Sequence, residues 1–82
     1  MKIYVKMFPI PGICDTSREM EFELREGTLN ELLICLREEA GDAPLPLEML
    51  MFLHNGSGLD IHENTQLSDG DHLWVLPQIS GG

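Results

Sequence analysis

The most distinctive residues of this sequence are the last seven, LPQISGG. Gly81 and Gly82 follow soon after an apolar run, LWVL, that is typical of a buried strand, so we expect a tail that begins where the fold stops. Glycine has no side chain and a wide choice of backbone angles, so such an end can enter a narrow slot in another protein. The alternative is an incidental frayed end. The candidate chemistry therefore lies at the carboxylate of Gly82.

The other chemistry-bearing residues form no recognisable site. The three histidines lie eight and ten residues apart, which fits neither a zinc site nor a His-Glu-x-x-His motif. Asp69 and Asp71 flank a glycine, so we interpret them as turn formers rather than as a catalytic carboxyl pair. Cys35 lacks nearby cations that would lower the pKa of its thiol, and there is no phosphate-binding glycine loop. We expect no bound metal or cofactor and no catalytic turnover by this chain alone.

Length and composition indicate one small acidic domain. The 82 residues include five basic and fourteen acidic ones, which gives a formal charge of −9. This charge repels nucleic acid and anionic membranes, so neither is an expected partner, whereas it attracts a basic protein surface; plain solubility is the alternative reason for it.

The alternating segment MKIYVKMFPIPG is not a signal peptide, and no apolar segment is long enough to span a membrane. Two isolated cysteines favour reduced thiols and a cytoplasmic protein.

Two strands and a helix are expected in the first half of the chain. The segments MKIYVKMF and EMEFELRE alternate apolar and polar residues, and the proline- and glycine-containing segment between them predicts an antiparallel hairpin. In EGTLNELLICLREEAG, apolar residues recur every three or four positions, which predicts a helix with one apolar stripe. Thr28 and Glu31 match a capping box, and Gly41 suits the left-handed residue after the last turn.

The second half of the chain is expected to complete a small sheet. MLMFLHNG has five consecutive apolar residues, so the pattern predicts a strand that is either packed on both faces or apolar on its outer face, but it does not show which side chains face inward. Asn55-Gly56 and Asp69-Gly70-Asp71 are turn sequences, and HLWVLPQI is the last strand. The predicted fold is therefore α+β, a small mixed sheet with one helix packed on one face.

The turn and tail also carry a family resemblance. NG followed by LSDGDHLWVLPQISGG resembles the closing signature of the MoaD/ThiS family of ubiquitin-like sulfur carriers. The order of elements is similar to the family's β-grasp fold over nearly all 82 residues. The resemblance implies a β-grasp domain over residues 1–78 and a flexible tail over residues 79–82.

The resemblance also implies a chemistry for the tail. In this family an adenylating enzyme activates the C-terminal carboxylate with ATP, and a sulfur donor then converts it to a thiocarboxylate; here the carboxylate is that of Gly82. A carboxylate is a poor acyl donor until its oxygen becomes a leaving group, which a mixed anhydride with the α-phosphate of ATP provides. Because the chain has no nucleotide-binding motif, the ATP must be bound by the partner enzyme.

Partners are expected at the tail and at the sheet face that the helix leaves open. Gly81, Ser80, Ile79 and Pro77 are the tail residues expected to contact the partner groove. On the sheet, Tyr4 and Phe8 lie opposite Ile3, Val5 and Met7 in the strand alternation, and Trp74 and Leu76 join them if Leu73 and Val75 point inward. The alternative for Trp74 is an ordinary core position.

The tail resembles the molybdopterin synthase small subunit more than other members of the family. This implies the synthase large subunit, an adenylating enzyme and a sulfur donor system as partners. The first loop, PIPGICD, together with His54 and Gln78, departs from the commoner molybdopterin-type pattern and leaves the partner open. Three alternatives therefore remain: a thiamine-thiazole sulfur carrier, a ubiquitin-like modifier that is conjugated to lysines through Gly82, and a noncovalent β-grasp adaptor.

Overall fold

The computed structural model describes residues 1–12, 15–41 and 46–78 and has a five-stranded mixed sheet. The strands are β1 (Lys2–Met7), β2 (Arg18–Glu23), β3 (Leu50–His54), β4 (Ser57–Leu59) and β5 (His72–Pro77). The helix α1 spans Leu29–Ala40, and a short 3₁₀ turn (Leu47–Met49) precedes β3. The sheet order is β2-β1-β5-β3-β4, with β1 and β5 parallel and the other neighbours antiparallel. This is the predicted α+β fold.

The predicted hairpin is confirmed. β1 and β2 pair antiparallel, with Ile3 opposite Phe22 and Val5 opposite Met20. These side chains lie on the helix side of the sheet, while the residues between them face away from the helix. The turn residues between the strands include Ile13 and Cys14, which lie outside the described residues.

Helix α1 begins and ends as predicted, but its capping differs from a capping box. The Thr28 hydroxyl accepts a hydrogen bond from the Glu31 N–H at 3.3 Å, and Gly41 adopts a positive φ of 67°. The Glu31 carboxylate, however, accepts the N–H groups of Arg25, Glu26 and Gly27 at 2.8–3.0 Å. These bonds, led by that from Arg25, lower the pKa of Glu31 despite its partial burial. Glu31 thereby fixes the whole loop that leads into the helix.

The core lies between α1 and one face of the sheet. Its members are Ile3, Val5, Met7, Ile10, Leu24, Leu29, Leu32, Leu33, Leu36, Leu50, Phe52, Leu67, Leu73 and Val75. The orientation of β3, which the sequence left open, is now defined: Leu50 and Phe52 point into this core, whereas Met51 is 42% exposed on the opposite face. None of the helices in the described residues is long and apolar enough to cross a membrane.

Candidate functional site

The sheet face opposite α1 carries an apolar surface, which we call the open face. Because Leu73 and Val75 are buried, Trp74 and Leu76 point away from the helix, as the alternation in β5 predicts. Residues on the same side of β1 and β3 continue this surface. The open face comprises Tyr4, Lys6, Phe8, Met51, Leu53, His72, Trp74 and Leu76.

Ring contacts organise the centre of the open face. Tyr4 stacks on His72 with ring centroids 5.1 Å apart, and Phe8 meets Trp74 edge to face at 5.5 Å. The Lys6 ammonium lies 5.1 Å from the centre of the Phe8 ring. Trp74 is nevertheless 44% exposed, so the alternative of a core tryptophan is wrong. These contacts give the surface a fixed shape while leaving its rings accessible.

The sequence interpretation left open which side chains of β3 face outward and therefore did not assign this strand to the open face. Met51 lies opposite Leu76 and Leu53 opposite Trp74 in the antiparallel pairing of β3 with β5. The signal was present in the apolar run from Met49 to Leu53, which is too apolar for a strand with one solvated face. The apolar surface therefore extends over three strands instead of two.

The end of β5 and the residue after it, Gln78, lie at one end of this surface. The N–H of Phe8 donates to the Val75 carbonyl, and the N–H of Gln78 donates to the Met49 carbonyl, both at 2.9 Å. Pro77 is the last residue of β5 and lies opposite Leu50. The predicted tail positions Ile79, Ser80, Gly81 and Gly82 lie outside the described residues, so their roles stay predictions.

A hydrogen-bond cluster holds the opposite end of β5. The Asp71 carboxylate lies 2.6 Å from His54 Nε2 and accepts the Ser68 N–H at 2.8 Å and the Asn55 amide at 3.3 Å. Burial alone raises the pKa of Asp71, but these hydrogen bonds outweigh it and hold the pKa below its usual value. Asp71 is thus a turn former, as predicted, and also ties the β3–β4 turn to β5.

The remaining candidates do not assemble into a reactive site. Burial, followed by the charges of Glu38 and Glu31, raises the pKa of the Cys35 thiol, which keeps it protonated at neutral pH. Within residues 1–12, 15–41 and 46–78, no group of three or more His, Cys, Asp or Glu side chains could hold a metal ion. Asp69 accepts the Lys2 N–H at 2.7 Å and so anchors a turn.

Comparison with known proteins gives structural neighbours only. No protein-family model matches the chain, and no curated protein does. The chain is similar to subunit 1 in the complex of subunits 1 and 2 of molybdopterin-converting factor from Helicobacter pylori 26695, with 29% identity, full coverage of both chains and a TM-score of 0.65.

Two archaeal structures share the fold. Small archaeal modifier protein 1 from Haloferax volcanii has a TM-score of 0.69 at 23% identity, with full coverage of both chains. Its counterpart from Methanosarcina acetivorans has a TM-score of 0.62 at 20% identity, covering 99% of this chain and 96% of the other. The fold is therefore the ubiquitin-like β-grasp, and one of these neighbours, subunit 1 of molybdopterin-converting factor, is of the MoaD type that the turn and tail resemble.

Proposed function

We propose that this protein is a sulfur carrier for molybdopterin synthesis, acting through a thiocarboxylate at Gly82. The observation that carries the proposal is the full-length likeness, at 29% identity, to subunit 1 of molybdopterin-converting factor. That subunit is found in a complex with subunit 2. The corresponding partner here is the large subunit of the synthase, and the site of action is the cytoplasm, which keeps thiols reduced.

The proposed chemistry has two steps, both catalysed by partners. First, the Gly82 carboxylate attacks the α-phosphorus of ATP on an adenylating enzyme, pyrophosphate leaves and an acyl adenylate forms. Second, a donor that supplies sulfur at the oxidation level of sulfide attacks the acyl carbon, and AMP leaves. The resulting thiocarboxylate carries the sulfur atom that the synthase complex transfers. This chain is the substrate of both steps, and in this proposal it binds no ATP or metal itself.

The open face supports this proposal because it supplies a docking surface beside the tail exit. Trp74 and Met51 are the two large apolar residues on it that are more than two-fifths exposed. Contiguous exposed apolar surface on a small domain marks an interaction site more often than scattered residues do. The domain, residues 1–78, would dock through this face while residues 79–82 enter the partner's active site. Pro77 would stiffen the start of the tail. Ile79 and Ser80 would contact the partner's groove, and Gly81 would pass through its narrowest part.

The test is intact mass spectrometry of untagged protein purified from its own cells. We expect a fraction heavier by one sulfur-for-oxygen exchange, and this fraction should be absent from a Gly82-deleted variant. Incubation with ATP, the adenylating enzyme and a sulfide source should increase that fraction in the full-length protein only. Adding the large subunit with its pterin substrate should then consume it.

Other outcomes would reject parts of the proposal. Large covalent adducts that survive denaturation and require Gly82, without the sulfur-bearing form, would indicate a lysine-conjugated modifier. A thiocarboxylate that the large subunit does not consume but a thiazole-forming enzyme does would indicate the thiamine pathway. Full activity of the Gly82-deleted variant would indicate a noncovalent adaptor.

A further inference from the structure

A cleft of about 610 Å³ lies on the open face between β2 and β5. Tyr4 and Lys6 of β1 lie between its two sides. Glu19 and Glu21 of β2 form one side of it. His72 and Trp74 of β5 form the other side. The cleft therefore has a carboxylate wall and an aromatic wall facing each other across one strand.

The carboxylate wall is only loosely paired with the neighbouring lysines, Lys2 and Lys6. Lys6 lies opposite Glu19 in the strand register, but its ammonium is placed over the Phe8 ring instead. Glu21 makes one long contact with Lys2, at 3.8 Å, with both side chains about half exposed or more. Glu19 has no ion pair with any residue that the structure describes. An incoming cation would therefore not have to displace a tight internal pair.

The aromatic wall favours an arginine over a lysine. Trp74 presents an accessible ring, and Tyr4 and His72 form a stacked pair beside it. Aromatic faces attract cations, and a planar guanidinium can stack on a ring while its N–H groups bind a carboxylate in bidentate fashion. A lysine ammonium cannot satisfy both walls in this way, because it is a compact charge without a flat face.

We propose that this cleft receives an arginine side chain of the docked partner, paired with Glu19 and Glu21 and stacked against Trp74. This rests on the proposed function insofar as it names the docking partner. The formal charge of −9 also attracts a positively charged surface at longer range. Long-range attraction and the final contact in the cleft therefore both favour a basic partner.

The first experiment needs no partner protein. Trp74 is the only tryptophan of the chain, so its fluorescence and its indole N–H resonance report on the cleft directly. The full-length protein is titrated with N-acetyl-arginine-amide, with N-acetyl-citrulline-amide as the uncharged analogue of the same shape. We expect weak saturable binding of the arginine compound and none of the citrulline compound.

Two variants provide the matched comparison. Glu19→Gln should weaken binding of the arginine compound about fivefold, the effect of removing one exposed charge partner. Glu38→Gln removes the same charge from an exposed position on α1, on the other side of the sheet, and should leave binding unchanged. Equal responses to the arginine and citrulline compounds, or equal loss in both variants, would overturn the proposal.

A second experiment separates this inference from the proposed function. Binding of the synthase large subunit is measured at low salt for the wild type, Glu19→Arg and Glu38→Arg. Charge reversal at Glu19 should weaken binding about tenfold, and less at high salt. If the wild type binds and Glu19→Arg binds equally well, the arginine contact is wrong and the carrier function stands. If the wild type binds arginine but not the large subunit, the proposed partner is wrong and the arginine site stands.

Discussion

Truncating Trp74 to alanine should separate docking from folding. A tryptophan side chain presents up to about 250 Å², and the 44% that is exposed corresponds to roughly 110 Å² available for burial by a partner. At about 25 cal/mol per Å², loss of that burial costs about 2.8 kcal/mol, or roughly a hundredfold in the dissociation constant. The folded domain should lose about 2–3 kcal/mol, because the roughly 140 Å² of the side chain that is already buried is lost except for the part that Cβ covers.

The assay is urea unfolding combined with titration against the adenylating enzyme and the large subunit. Ile34→Ala is the control, because Ile34 is 55% exposed on α1, on the far side of the sheet. It should leave both binding constants unchanged. Phe52→Ala, at a site only 1% exposed, should instead cost about 3–5 kcal/mol of stability. The reasoning is refuted if Trp74→Ala unfolds the domain as Phe52→Ala does, or if both partners bind it within threefold of the wild type.

Two further predictions concern the loops that hold the sheet. Since the folded-state pKa of Asp71 is depressed, its stabilising contribution is present above the unfolded pKa of about 3.9 and is lost as pH falls through the lower folded value. Asp71→Asn should therefore lower the free energy of unfolding by about 1–2 kcal/mol near pH 7. It should also reduce the fall in stability that the wild type shows when unfolding is measured from pH 7 down to pH 2; an unchanged fall would contradict this role. Gly27→Ala should lower the melting temperature by several degrees, at a cost of about 1–2 kcal/mol, because Gly27 has a φ of 68° and an added Cβ would lie 3.2 Å from the Gln66 amide nitrogen, which hydrogen bonds hold in place; the flexible end of Met1 can move aside. Gly12→Ala shares the positive φ but meets nothing within 4 Å, so it should cost less; equal losses would show that the crowding at Gly27 has no effect.

The local elements could be predicted because each follows from spacing along the chain. Alternation in β1 and β2 and the three-to-four spacing in α1 are properties of neighbouring residues, and the structure has all three elements. The orientation of β3 could not be predicted, because Met49 to Leu53 are all apolar and period-two alternation carries no signal there. It is fixed by pairing with β5, which places Met51 opposite Leu76.

Hydrogen-bond partners that lie outside the short sequence motifs were also beyond the sequence. Asp71 was interpreted from its glycine neighbour as a turn residue, yet it also lies 2.6 Å from His54, seventeen positions away. The Glu31 carboxylate, expected to cap its own helix start, satisfies three loop amides instead. In both cases a carboxylate accepts whichever N–H groups the fold brings near it, and sequence spacing defines only the local ones.

In the proposed carrier, the length of the tail determines how far the carboxylate can reach from a partner that is docked on the open face. From Pro77, the five residues 78–82 extend at most about 18 Å. A partner's ATP must therefore lie within that distance of the end of β5 while the same partner covers Trp74 and Met51. Docking then makes delivery of the Gly82 carboxylate effectively intramolecular and raises its local concentration at the active site. Trp74→Ala should consequently slow adenylation at subsaturating carrier concentrations, although Trp74 touches neither ATP nor the carboxylate. At saturating carrier, the adenylation rate should return to that of the wild type.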